Sequence, residues 1–181
     1  MTARFAAVGA GRMGRSIAIA FAYAGHRIAL VDLKPRTEEA VQALARQAQD
    51  EIAASLRALA ELGALQADEV QTIAQRVQFV PAEQAPAALA AAELVFEGVP
   101  ETLPAKQEAL AAISAHVGPE AIVTSTTSSI LVTQLAPLVR DPQRFLNAHW
   151  LNPAYLIPVV ELSTHEGTCS EVLARTREIL E

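Results

Sequence analysis

The stretch Arg4–Asp32, RFAAVGAGRMGRSIAIAFAYAGHRIALVD, decides how this chain folds. It opens on a β-like apolar run, Phe5 to Val8, passes through Gly9, Gly11 and Gly14, and continues as a helical segment that Gly25 stops. A second apolar run, Ile28 to Val31, follows at once and ends in Asp32. GxGxxG alone is a weak signal, whereas strand, loop, helix, strand and terminal acid in this order form a strong one. Each glycine has its own physical reason. Gly9 permits the tight turn, Gly11 lets a pyrophosphate approach N–H groups at the helix N-terminus, and Gly14 lets the helix pack closely on the sheet. Ala10, Arg12 and Met13 complete the loop and count with it as cofactor-binding positions. Asp32 stands at the distance where a carboxylate accepts hydrogen bonds from the adenosine ribose. It would repel a 2′-phosphate, which favours NAD over NADP, while Lys34 and Arg36 act in the opposite sense.

Outward from this unit, β-like runs alternate with helical stretches to the end of the chain, the pattern of a mostly parallel sheet covered on both faces. The expected strands are Phe5–Val8, Ile28–Val31, Val77–Val80, Leu94–Phe96, Ala121–Thr124, Phe145–Ala148 and Val159–Leu162. Helices are expected at Met13–Tyr23, Ala82–Ala92, Ala105–His116, Leu131–Leu138 and from Ser170 onward. A helical hairpin over 37–76 interrupts the alternation: Thr37 with Glu38 and Glu39 opens it, Gly63 stops its first helix, and Asp68 with Gln71 resembles a capping box. The expected fold class is α/β, a Rossmann-type doubly wound sheet with this hairpin inserted after the second strand. Residues 1–181 read as one dinucleotide-binding domain.

Composition narrows the function. A net charge of −6 argues against partners such as nucleic acid or anionic lipid, whose binders present basic surfaces. With no apolar run of membrane length and no signal-type N-terminus, the expected location is the cytoplasm. The single cysteine, Cys169, cannot form an internal disulfide and suits a reducing compartment. No metal site is expected.

Two later segments carry chemistry: STTSSI (125–130), hydroxyls at the end of a buried strand, and HWLNPAYLIPVVE (149–161), a loop with Pro153 and Pro158 between two short strands. Ligands of open α/β sheets sit at the carboxyl ends of the strands, where Ser128 and His149 emerge. With a turn at 152–158, His149 and Glu161 can face each other. Oxidising a secondary alcohol needs a base for the hydroxyl proton, and an imidazole oriented by a carboxylate supplies one near neutral pH. Taken alone, His149 would be a structural histidine and Ser128 a turn hydroxyl; beside a dinucleotide loop the catalytic reading takes precedence.

The motifs GAGRMG, FEGVPETLPAKQEAL, STTSSI and HWLNPAYLIPVVE, in this order, resemble the NAD-binding domain of the 3-hydroxyacyl-CoA dehydrogenase family over essentially the whole chain. The resemblance implies that His149 is the catalytic base, Glu161 its orienting partner, and Ser128 a hydrogen-bond donor to the substrate oxygen. It places Glu101, Lys106 and Asn152 at the nicotinamide half of NAD. The implied activity is NAD-dependent oxidation of a 3-hydroxyacyl-CoA, in fatty acid metabolism. Family members continue into an all-helical domain that completes the substrate site and forms a homodimer; a chain ending at Glu181 would bind NAD and turn over poorly. Two departures bear on the substrate. Thr126 stands where the family commonly has asparagine, and in SLRALAELGALQADEV Arg57 is the only base available for a nucleotide phosphate. The loop NPAYLIPVVE also resembles the branch that oxidises small polar hydroxy acids such as carnitine or gulonate. A non-catalytic, crystallin-like dinucleotide binder is the alternative from another class.

Overall fold

The computed structural model describes residues 3–157 and 159–181; Pro158, in the expected turn, lies outside them. In chain order the elements are β1 (Phe5–Val8), α1 (Arg12–Tyr23), β2 (Ile28–Val31), α2 (Glu38–Glu61), α3 (Glu69–Ala74), β3 (Val77–Val80), α4 (Ala85–Ala90), β4 (Leu94–Glu97), α5 (Leu103–His116), β5 (Ile122–Ser125), α6 (Val132–Leu135), β6 (Phe145–Trp150), β7 (Val160–Ser163) and α7 (Ser170–Leu180). The strands form one sheet in the order β3-β2-β1-β4-β5-β6-β7, parallel except for β7, which pairs antiparallel with β6. This is the doubly wound α/β architecture expected from the first 32 residues.

The sheet is covered on both faces, so its strands are apolar on both. Along β1, Phe5 and Ala7 point to one layer and Ala6 and Val8 to the other, with β2 repeating the division. One layer packs under α1, the hairpin and α7 through Ile17, Phe21, Leu56, Ile73 and Val172. The other packs under α4, α5 and α6 through Leu89, Leu110, Ile113 and Leu135. Among the described residues no helix is long and apolar enough to cross a membrane.

The differences from the sequence expectations lie at boundaries. The strand expected at Leu94–Phe96 runs on to Glu97, and that expected at Ala121–Thr124 ends at Ser125, so each central strand delivers a polar side chain to the carboxyl edge. The helix expected from Ala82 begins as one tight 3-10 turn, Ala82–Gln84, before α4. Thr37 caps α2 by accepting from the Ala40 N–H, but Asp68 makes no side-chain cap on α3; there Glu69 reaches back to the Gln66 N–H at 2.8 Å.

Winding sets the site. From β1 the chain winds outward to β3, then returns to place β4 on the other side of β1, which opens a crevice at the carboxyl ends of those two strands.

Candidate active site

The glycine loop fills one wall of that crevice, and its three glycines serve three separate needs. Gly9 has φ +104°, and a Cβ there would lie 2.8 Å from the Gly98 carbonyl oxygen. At Gly14 a Cβ would lie 2.0 Å from the Gly9 carbonyl oxygen, so a hydrogen is what lets α1 seat on the loop. A Cβ at Gly11 would meet nothing within 4 Å, because it would project into the open space before the N-terminus of α1. No side chain caps that terminus and no acid stands in its first turn, so its N–H groups and helix dipole are available to an anion. The cleft beyond, about 680 Å³, runs from Gly9–Arg12 past Asp32, Lys34 and Arg36 to Gly98, Val99 and Pro100. An uncapped helix start, a glycine opening on empty space and a carboxylate at the far end fit a dinucleotide.

Asp32 is 6% exposed and ion-paired with Arg36 across one turn of chain. Asp32→Ala should weaken NADH binding about tenfold, the worth of a hydrogen bond to a charged group. With Arg36 and Lys34 left in place, it should also narrow the preference over NADPH. Fluorescence titration with both nucleotides reads both effects.

At the ends of β4 and β5 the structure gathers charges and hydroxyls. Glu97 and Lys106 have no solvent exposure; Lys106 Nζ lies 3.0 Å from both Glu97 oxygens and 3.2 Å from Glu101 Oε2. Glu101 Oε1 accepts from the Thr127 hydroxyl, from the N–H groups of Ser128 and Ser129 at 2.9 and 3.0 Å, and from the Ser129 hydroxyl. Asn147 on β6 adds a bond from its amide N–H to the Thr127 carbonyl at 3.1 Å. Ser128 is thus exposed on a turn held from two sides.

Burial would push the Glu101 carboxyl up. The Thr127 hydroxyl, the Lys106 charge and the Ser129 N–H and hydroxyl outweigh that and draw it down to about 2. A lowered carboxyl contributes stability that is complete above the ordinary carboxylate range and fades as pH falls toward 2. The turn around Ser128 should therefore loosen selectively below about pH 4, the unperturbed glutamate range. Thermal melts of wild type and Glu101→Gln should converge as pH is lowered from 5 to 3; an unchanged gap would refute it.

The antiparallel register of β6 and β7 sets His149 opposite Glu161, with Nδ1 2.8 Å from Glu161 Oε2. Alternation along β6 buries Leu146, Ala148 and Trp150 and turns Asn147 and His149 to the other face. Asn152 is exposed in the loop after β6, which the Ala154 N–H ties to the buried Ser16 hydroxyl of α1 at 2.7 Å. That bond helps form a smaller cleft, about 190 Å³, between Arg12, Arg15, Glu51, Ser55, Asn152 and Tyr155. Met13 is half-buried against the core instead of lining the larger cleft.

Sequence reading missed Glu97, Ser125, Thr127, Ser129, Asn147 and Ser16. The available signal was LVFEG: an acid closing an apolar run of a central strand must be buried and therefore partnered. Among the described residues no group of three His, Cys, Asp or Glu could hold a metal ion.

Comparison with known proteins places these features in a family. Over 174 residues the chain is 33% identical to the 3-hydroxyadipyl-CoA dehydrogenase of Escherichia coli, covering 96% of this chain and 34% of that one. It is 30% identical to the L-carnitine dehydrogenase of Streptomyces coelicolor, over 94% of this chain and 50% of that one. The crystal structure of (S)-3-hydroxybutyryl-CoA dehydrogenase from Ralstonia eutropha superposes with a TM-score of 0.83 at 29% identity, covering 99% of this chain and 60% of that one. The chain therefore spans between a third and three-fifths of the length of these relatives. The family described as 3-hydroxyacyl-CoA dehydrogenase, NAD binding domain, matches residues 4–181, and the chain belongs to it.

Proposed function

We propose that the protein is an NAD-dependent dehydrogenase that oxidises a 3-hydroxyacyl-CoA, such as 3-hydroxybutyryl-CoA, to the 3-oxoacyl-CoA. The observation that carries this reading is the His149–Glu161 pair on β6 and β7, at the carboxyl edge of a sheet whose glycine loop fits a dinucleotide. Bound NAD supplies the hydride acceptor. Gly9, Ala10, Gly11, Arg12, Met13 and Gly14 form the loop that receives its pyrophosphate, Asp32 takes the adenosine ribose, and Glu101, Lys106 and Asn152 border the nicotinamide half. His149 Nδ1 is engaged by Glu161, which leaves Nε2 to accept the substrate hydroxyl proton as the C–H bond breaks. Glu161 fixes the tautomer and stabilises the imidazolium, while the Ser128 hydroxyl donates to the substrate oxygen.

A second reading, a small polar 3-hydroxy acid of the carnitine or gulonate type, is favoured by the charge of the hairpin. Glu38, Glu39, Asp50, Glu51, Glu61, Asp68 and Glu69 stand there against Arg46, Arg57 and Arg76. Such a surface repels a polyanionic nucleotide more strongly than a small acid with at most one net negative charge, and least of all a zwitterion such as carnitine. Turnover of 3-hydroxybutyryl-CoA, carnitine and gulonate by the full-length protein, followed as NADH formation, tests both. NADH binding with no turnover of any would leave a non-catalytic binder. The acidic surface, the lone Cys169 and the family's helical dimerisation domain support a cytoplasmic homodimer with a small-molecule substrate.

A further inference from the structure

Asn147 is a polar residue inside β6, two places before His149 and on the same face of the strand. In register it lies beside Ser125 of β5 and opposite Ser163 of β7. Its amide N–H donates to the Thr127 carbonyl at 3.1 Å. A backbone carbonyl can only accept, so the carboxamide stands one way round, with its NH2 toward Thr127 and its oxygen away from it. That oxygen, Asn147 Oδ1, is buried; with Trp150 Nε1 it is one of two buried side-chain polar atoms that find no partner among the described residues.

A buried acceptor without a donor weakens a fold, and a leucine, which has the same branched shape, would avoid that penalty. The compensating gain lies at the other end of the carboxamide. The peptide group joining Thr127 to Ser128 is held at both poles: its carbonyl by Asn147, and its N–H by Glu101 Oε1 at 2.9 Å. Thr127 is itself 1% exposed. Its N–H donates to the Ser125 hydroxyl at 3.3 Å, and its own hydroxyl donates to Glu101 and accepts from the Ile130 N–H at 3.0 Å. With that peptide plane fixed, the direction in which the Ser128 side chain leaves the backbone is fixed too. Of these bonds, only the one from Asn147 comes from the strand that carries His149, with roughly 7 Å of extended backbone between the two residues.

We propose that Asn147 is a positioning residue that sets the spacing between base and hydroxyl donor: it ties the Ser128 turn to β6, so that His149 and Ser128 meet one substrate oxygen from fixed places. It acts through Ser128 and not on the substrate itself. The consequence in turnover rests on the dehydrogenase reading; the tie between turn and strand does not.

The test is Asn147→Leu in the full-length protein, made in the wild-type and in the Ser128→Ala background. Thermal melts, NADH titration, amide hydrogen exchange at Ser128 and steady-state kinetics are measured. Tm should stay within about 2 °C of wild type and NADH affinity within about threefold, while exchange at Ser128 quickens by about tenfold or more. In the wild-type background kcat should fall by about tenfold. In the Ser128→Ala background the same substitution should change kcat by less than about twofold, because the hydroxyl it would position is gone. An equal loss of kcat in both backgrounds, or unchanged exchange at Ser128, overturns the proposal. Should Asn147→Leu fail to fold, Asn147→Ala removes the same N–H without bulk and is judged by the same two criteria. A wild type that binds NADH but turns over no substrate sinks the dehydrogenase reading, while exchange at Ser128 still decides whether Asn147 holds the turn.

Discussion

His149→Ala should lower kcat by about 10²- to 10⁴-fold, the range that a positioned general base contributes. The argument is geometric. Strand pairing sets His149 directly across from Glu161, and the 2.8 Å contact occupies Nδ1, so that Nε2 is the one ring nitrogen left to face a substrate. Alanine removes the proton acceptor at a half-buried position without opening the core, since the neighbours that pack inward are Ala148 and Trp150. NADH binding should change little, because the groups at the adenosine and pyrophosphate end belong to β1, α1 and β2. Glu161→Gln should fall between wild type and His149→Ala: it keeps an acceptor for Nδ1–H but loses the charge that stabilises the imidazolium. Stopped-flow or steady-state NADH formation checks both variants, and full turnover by His149→Ala would overturn the assignment of the base.

Gly14→Ala should be the most damaging single-methyl change in the chain. The new Cβ would sit 2.0 Å from the Gly9 carbonyl oxygen and 3.3 Å from Leu30 Cδ1. The first of these is backbone, held by the Gly9 N–H bond to the Val31 carbonyl at 2.8 Å, and cannot swing aside as a side chain would. Either α1 lifts from the sheet or the loop deforms, and both spoil the pyrophosphate site. A loss of about 3 kcal/mol, the upper part of the usual range for overpacking, would lower Tm by about 6–12 °C in a domain of this size. NADH affinity should fall with it. Gly11→Ala provides the contrast: its methyl enters open space, so Tm should hold while NADH binding weakens, because the methyl stands where the cofactor approaches. Calorimetry and NADH titration on both variants separate close packing from ligand access; equal Tm losses would refute that separation.

The amino-acid sequence by itself determined the topology of the dinucleotide half. Local rules sufficed there: apolar runs too short for anything but strands, glycines at fixed spacing between strand and helix, and an acid at the end of the second run, all within one continuous stretch of chain. The family resemblance likewise rested on motifs that are contiguous in the sequence. Strand ends were less legible, because where β4 and β5 stop depends on the neighbours they pair with, not on their own composition. Glu97 shows the cost of this. Read locally, it is an acid just past a strand; in the sheet it is the last rung of β4, enclosed between β1 and β5. Only the tertiary structure decided its partners: Lys106 from the next helix, Ser125 from the adjacent strand, and Glu101 sharing the same ammonium. The same holds for the tie from Ala154 to Ser16, two residues 138 positions apart. Hydrogen bonds of this range leave no periodicity in a sequence. They exist because a buried charge or hydroxyl must be satisfied by whatever the fold brings next to it, and that is known only once every strand has found its place.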